Sequence, residues 1–142
     1  MATRRLLVLF VLLLGACQTP LPTGAEAWSL TGEPLFPPKL SPELLTSRER
    51  NLAAARQEQY EHQDDRDVAI WVGRRLGYLG RYREAIEVYS LALLRWPDDA
   101  FLLRHRGHRY LSVREFALAR ADLDAAALAC RTTPDESEPA GL

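Results

Sequence analysis

The spacing of hydrophobic residues divides this chain into three regions. Residues 6–14 are apolar without interruption. Residues 18–42 contain six of the nine prolines and show no regular alternation. Because proline lacks an N–H donor and fixes φ, this region is predicted to form neither a long helix nor a central strand. From 43 to 131 apolar residues recur every three or four positions, which predicts an all-α domain.

The helical region begins with one long predicted helix, residues 43–62. Ser41 is a favourable N-cap residue. Pro42 suits the first helical position, because its missing N–H would have no partner there. The apolar stripe of this helix is incomplete, and charged residues solvate the remainder.

Beyond this helix the pattern repeats with a period of 34 residues. Gly73 matches Gly107, and Ala85 matches Ala119. The other matched pairs are aromatic or apolar: Leu76 with Tyr110, Tyr82 with Phe116, Tyr89 with Leu123, and Ala92 with Ala126. Small residues let paired helices approach closely, and aromatic residues fill the space between units. Each unit is therefore predicted to be a pair of helices.

This period, with these small and aromatic residues, resembles the tetratricopeptide repeat (TPR), a family of 34-residue helix-turn-helix units. The two copies are residues 66–99 and 100–133. The first copy matches the family at Gly73, Gly80, Tyr82, Ala85, Tyr89, Ala92 and Pro97. The resemblance implies a short solenoid of two α-hairpins, with the N-terminal helix as a third layer. The last helix would keep an uncovered apolar edge at Leu118, Leu123, Ala127 and Leu128.

The second copy departs from the family at two positions. Arg106 stands where the family has a buried leucine, and we expect its side chain to point inward. Arg114 replaces the turn glycine, which is Gly80 in the first copy. A non-glycine residue at positive φ costs roughly 1 kcal/mol. This turn must therefore either avoid positive φ or accept that strain.

The N-terminal region has the pattern of an export signal. Arg4 and Arg5 give a cationic start, the apolar run follows, and small residues lead to Cys17. The run is too short for a membrane-spanning helix, which needs about twenty residues.

The sequence Leu-Gly-Ala-Cys at 14–17 resembles the lipobox of bacterial lipoproteins. That resemblance implies a signal peptide at residues 1–16, a lipidated Cys17, and a proline-rich tether over residues 17–42. A glutamine rather than an aspartate follows the cysteine, at position 18, and this resembles the pattern of lipoproteins that are sorted to the outer membrane. The implied location is the bacterial cell envelope, at the outer membrane facing the periplasm in a Gram-negative organism. The alternative is an ordinary signal peptide in which the cysteine is incidental.

The composition gives little global charge. The formal net charge is −1, and removal of residues 1–16 lowers it to −3 because two arginines are lost. A charge so near zero provides no general attraction to nucleic acid. A lipidated Cys17 also leaves Cys130 without a disulfide partner. We expect Cys130 to be a buried small hydrophobe rather than a reactive thiol.

The TPR resemblance also implies a binding surface, because the first helix of each unit lines the concave side in this family. The positions carried over to this chain are Ile70, Arg74, Gly77, Tyr78, Phe101, Arg104, His108, Leu111 and Ser112. Of these, Arg74, Tyr78, Arg104 and His108 are the predicted partner-binding residues. Arginine suits carboxylates, so the expected ligand is an acidic segment of another protein. The alternative is a solvated basic face without a dedicated ligand.

No residues in the sequence nominate a metal centre or a catalytic site. His105 and His108 lie three apart on a helix, but no nearby cysteine or carboxylate completes the three or four ligands that zinc usually needs. Ser90 and Ser112 have no neighbouring triad, and there is no glycine-rich phosphate loop. We therefore predict that the protein is not an enzyme and has no cofactor.

Together these patterns predict a lipid-anchored interaction module or scaffold that holds another protein near the membrane. The alternatives are an accessory or regulatory subunit of an envelope enzyme, and a fragment of a longer TPR protein. The uncovered edge of the last helix also allows self-association. The acidic residues 134–142 are predicted to form a disordered tail.

Overall fold

A computed structural model describes residues 19–132 of the chain. They form five helices: α1 Pro42–Glu61, α2 Arg66–Tyr78, α3 Tyr82–Leu93, α4 Ala100–Ser112 and α5 Phe116–Thr132. A short antiparallel hairpin, β1 Ala27–Trp28 and β2 Pro34–Leu35, precedes them. The predicted all-α class is therefore confirmed, with the hairpin as an addition. The predicted signal peptide, Cys17 and the predicted acidic tail lie outside the described residues.

Consecutive helices pack against each other, from α1 against α2 to α4 against α5, and α2 also contacts α4. Helices α2 and α4 each contain 13 residues, and their first residues are 34 positions apart. The first residues of α3 and α5 are also 34 positions apart. Aspartates cap α2 and α4: an oxygen of Asp65 accepts from the Asp67 N–H at 2.8 Å, and one of Asp99 accepts from the Leu102 N–H at 2.8 Å. No helix within residues 19–132 is long and apolar enough to cross a membrane.

The contact between α2 and α3 depends on a glycine. Tyr89 is 1% exposed, and its ring lies where a side chain on Gly73 would stand, 2.2 Å from the ideal Cβ position. The Tyr89 hydroxyl donates to the Ile70 carbonyl at 3.5 Å. The second helix pair uses Gly107 in the same way, with the Leu123 side chain 2.9 Å from the ideal Cβ position. The matched glycines therefore set the distance between the paired helices.

Helix α1 is attached by few apolar and several charged contacts. Ser41 caps it as predicted, accepting from the Leu44 N–H at 3.2 Å. Its buried residues are Leu52 and Ala55. The charged contacts join α1 to the α2 C-terminus and the α3 N-terminus, and they are Arg48 with the Tyr78 carbonyl, Arg56 with Glu84, and Glu49 with Arg81. A cation beside the α2 C-terminus also meets the negative end of that helix.

The proline-rich region, which the lipobox resemblance implied to be a tether, folds back onto the helices over its described part. The Glu26 carboxylate accepts from the Arg83 N–H at 2.9 Å, and Arg83 Nε donates to the Glu26 carbonyl at 2.9 Å. Pro37 fills the space beside Gly80, 2.3 Å from its ideal Cβ position. A turn closed by Ser29 Oγ, which accepts from the Glu33 N–H at 2.9 Å, makes the hairpin possible.

The outer face of α5 is uncovered within the described residues. Leu118 is 48% exposed and Leu128 is 64% exposed, and Ala127 is exposed as well. Leu123 is half-buried because it faces Gly107. Cys130 is exposed, so the expectation that it is buried was wrong. The thiol lines a cavity between α4 and α5.

The two helix-pair turns have the same backbone shape. Gly80 has φ of 75° and Arg114 has φ of 63°. The turn after α4 therefore accepts the left-handed conformation instead of avoiding it. An L side chain in that region crowds the following carbonyl, so Arg114 is a strained residue.

Arg114→Gly should raise the free energy of unfolding by about 0.5–1 kcal/mol. Relief of left-handed strain contributes about 1–2 kcal/mol, and the greater freedom of glycine in the unfolded chain offsets part of it. Urea denaturation followed by circular dichroism measures the change. Arg114→Lys, which keeps the charge and the Cβ, is the control and should leave stability unchanged. A glycine variant no more stable than wild type would contradict the assignment of strain.

Candidate functional site

Positive charge is concentrated on α2 and α4. These two helices carry six arginines and one aspartate, although the whole chain has a formal charge of −1. Arg66 pairs with Asp99 at 2.8 Å, and Arg106 pairs with Asp122 at 2.7 Å. The other arginines of these helices are Arg74, Arg75, Arg104 and Arg109. Helices α2 and α4 therefore carry a net positive formal charge in a nearly neutral protein.

The Arg106–Asp122 ion pair fixes α4 in place. The guanidinium donates to both carboxylate oxygens, at 2.7 and 2.8 Å, and to Ser90 Oγ at 3.2 Å. These bonds join α3, α4 and α5. The hydrogen bond to Asp122 also raises the pKa of Arg106. Asp122 is 7% exposed. The inward direction expected for Arg106 is thus confirmed.

Sequence reasoning missed Asp122, although a signal for it exists. The residues 34 positions earlier are Val72 and Val88, two apolar residues of α2 and α3. In the second copy Arg106 stands in place of Val72, and Asp122 stands in place of Val88. A paired change of this kind at matched positions indicates that the two side chains meet.

Two predicted site residues lie together on α2. The Arg74 guanidinium lies 4.5 Å from the centre of the Trp71 ring, and its Nη2 is 3.4 Å from the Tyr78 hydroxyl. Tyr78 is exposed. Arg75 lies 4.9 Å from the same Trp71 ring. Contact with an aromatic face restrains a guanidinium while leaving its N–H groups able to donate.

Arg109 joins this group from α4, and sequence reasoning missed it. Its guanidinium lies 5.4 Å from the centre of the Tyr82 ring, and its Nη1 is 2.6 Å from the ideal Cβ position of Gly77. The bare Gly77 backbone therefore leaves the space that Arg109 occupies. Burial raises the pKa of the Tyr89 phenol, and the charges of Arg109 and Arg74 oppose that rise. Both arginines thus act on the same buried hydroxyl.

Arg104 and His108, the other two predicted site residues, line one cavity of about 250 Å³ between α4 and α5. Arg104 lies 5.5 Å from the centre of the Phe101 ring. The rest of the lining is small or apolar apart from one thiol: Ala100, Phe101, Leu123, Ala126, Ala127 and Cys130. The cavity therefore offers an apolar wall beside a cation.

The remaining positions carried over from the family divide between surface and interior. Ile70 is fully buried, so its expected place on the surface was wrong. It lies in the core where the Tyr89 hydroxyl reaches its carbonyl. Leu111 is exposed, and Ser112 Oγ donates to the His108 carbonyl at 3.1 Å. Gly77 contributes space rather than a side chain.

A larger cleft of about 640 Å³ lies between the N-terminal segment and the turn after α4. Thr19 and Trp28 form one wall, and Arg83 and Arg114 belong to the other. It shares no lining residue with the α4–α5 cavity.

The histidines of α4 have different surroundings. The His105 ring stacks on the Tyr89 ring, with centroids 5.9 Å apart, whereas His108 is exposed. Among residues 19–132, no group of three or more histidines, cysteines and carboxylates could hold a metal ion.

Asp122→Val alone should lower the free energy of unfolding by about 3 kcal/mol, because it leaves the Arg106 charge partly buried without its partner. The double variant Arg106→Leu/Asp122→Val should have a free energy of unfolding only about 1 kcal/mol below that of wild type, since the first repeat is apolar at these positions. Urea denaturation of the two single variants and the double variant gives the coupling energy. Additive losses would show that the pair does not act as a unit.

Comparison of the chain with protein-family models, curated proteins and solved structures finds no match. The side chains themselves are therefore the basis for a functional inference. Arginine donors held against aromatic rings on two adjacent helices are suited to bind carboxylates.

Proposed function

We propose that this protein is a lipid-anchored interaction module of the bacterial cell envelope, which holds another protein near the membrane. Two kinds of feature support the proposal. The Leu-Gly-Ala-Cys sequence that ends at Cys17 supplies the anchor, and helices α2 to α5 supply two hairpins of TPR type. The 34-residue offset between the hairpins, with a glycine at the close approach in each, is the structural support for the TPR assignment.

The proposed ligand is an acidic segment of the partner, bound on the basic surface formed by Arg74, Arg104, His108 and Arg109. The observation that carries this assignment is the position of Arg109 Nη1, 2.6 Å from the ideal Cβ position of Gly77 on α2. It places a cation of α4 against the helix that carries Arg74. A carboxylate there accepts charge-assisted hydrogen bonds, which are about twice as strong as neutral ones.

Aromatic contacts prepare the basic surface for binding. Trp71 restrains Arg74, Phe101 restrains Arg104, and Tyr82 restrains Arg109. Ordering a free, rotamer-rich side chain at an interface costs about 0.5–1.5 kcal/mol. Side chains that are already restrained lose less entropy when a ligand binds. The surface is thus suited to recognise an acidic segment.

The folded hairpin places the domain close to the proposed anchor. Trp28 Nε1 donates to the Thr19 carbonyl at 3.2 Å, so a residue only two positions after Cys17 is held against the hairpin. Two extended residues span at most about 7 Å. On this proposal the binding surface stands near the bilayer, without a long flexible stalk between them.

Arg74→Glu combined with Arg104→Glu should weaken partner binding at least about tenfold, because two attractive charges become repulsive. The partner is first captured by crosslinking in cells and identified by mass spectrometry. Its affinity for purified wild-type and variant protein is then measured by calorimetry. Arg50→Glu with Arg120→Glu changes the net charge equally at exposed positions on α1 and α5 and should have little effect. Unchanged affinity in the first variant would refute the assigned surface.

Cys17→Ser should release the protein from the membrane fraction, since the thiol that would carry the lipid is lost. Several acyl chains give firm anchoring at about 0.8 kcal/mol per buried CH₂ group. Cell fractionation followed by immunoblotting measures the distribution, and Cys130→Ser is the matched control that should remain membrane-bound. If the Cys17 variant still fractionates with membranes, the anchor assignment fails.

A further inference from the structure

The end of α5 lies at the basic surface. Cys130 lines the same cavity as Arg104 and His108, and Ala127 faces it from one turn earlier. Leu123 packs at Gly107, closer to the α4 C-terminus. Helix α5 therefore runs antiparallel to α4 and ends beside the start of α4. The chain leaves the described region at Thr132, two residues beyond the cavity wall.

The residues that follow carry the opposite charge. Residues 133–142 lie outside the described part of the chain and contain Asp135, Glu136 and Glu138 but no arginine, lysine or histidine. From Cys130 to Glu138 an extended chain spans at most about 28 Å. Packed helices such as α2 and α4 have axes about 8–10 Å apart. The three carboxylates are thus within reach of cations on both helices.

We propose that the acidic segment 135–138 binds within its own chain to the basic surface of α2 and α4 and competes there with the acidic segment of the partner. This inference rests on the proposed function, because it assigns a regulator to the same surface. Charge complementarity and the exit of the chain beside Arg104 select this occupant. The segment acts as an internal pseudo-ligand.

A tether this short gives the internal segment a large advantage. A binding group joined by a few flexible residues has an effective concentration in the millimolar range. A partner must displace it, so the apparent affinity of the partner falls by the fraction of molecules in which the surface is occupied. The competition also raises selectivity, because a weakly acidic segment fails to displace three carboxylates.

The test compares the binding of a fluorescein-labelled octaglutamate peptide to two forms of the lipidated chain in uncharged detergent micelles, measured by fluorescence anisotropy. The variant Asp135→Asn/Glu136→Gln/Glu138→Gln keeps side-chain size and removes the charges. It should bind the probe at least about threefold more tightly than wild type. Glu43→Gln/Glu58→Gln/Glu61→Gln changes the net charge equally on exposed positions of α1 and should leave the affinity at the wild-type value.

The outcomes separate this inference from the proposed function. Equal affinity of wild type and the tail variant overturns the inference. If the probe binds wild type but not the variant Arg74→Glu/Arg104→Glu, the proposed surface stands even when the inference fails. A probe that binds neither form, or binds the arginine variant as well as wild type, overturns both. An equal gain in the α1 variant also overturns the inference, because it shows a general charge effect.

A photocrosslinking amino acid at position 137 gives a second, direct measurement. In the full chain it should crosslink to peptides of α2 or α4 within the same molecule. Crosslinks found only on other helices, or only between two chains, would overturn the intramolecular assignment.

Discussion

The buried ion pair between Arg106 and Asp122 is the interaction on which the second half of the structure depends. It ties α4 to α5 and reaches Ser90 on α3, so three helices meet at one guanidinium. A charge at this depth is tolerated only when its partner is correctly placed. The pair therefore fixes the position of α4 and, with it, the direction of Arg104 and His108 on the neighbouring turns.

Local rules and the 34-residue period predicted most of the helical fold. Ser41 caps α1 as predicted, and the paired starts of the helices follow the repeat. The hairpin at the N-terminus was not predicted. Proline density argued against regular structure, but the hairpin needs only two residues per strand and is held by the long-range contact between Glu26 and Arg83. Contacts between distant segments leave no periodic trace in a sequence.

The candidate site was predictable only in part, because it too combines positions along single helices with contacts between helices. Arg74, Tyr78, Arg104 and His108 were placed by counting along single helices, and their placement on α2 and α4 follows from that count. Arg109 was missed because its role depends on the absence of a side chain on another helix. Ile70 was misplaced because a shift of one or two positions turns a side chain by about 100–200° around a helix, which is enough to move it from the surface to the core.

The two ends of the helix stack are finished differently. At the first end, α1 covers α2, and Pro37 fills the space that Gly80 leaves at the first turn. At the other end, no other element among residues 19–132 covers Leu118 and Leu128 of α5, which are exposed. The two ends therefore differ in whether another helix could pack on them. A designed hairpin could pack on the exposed leucines of α5, whereas one added at the first end would have to displace α1 from α2.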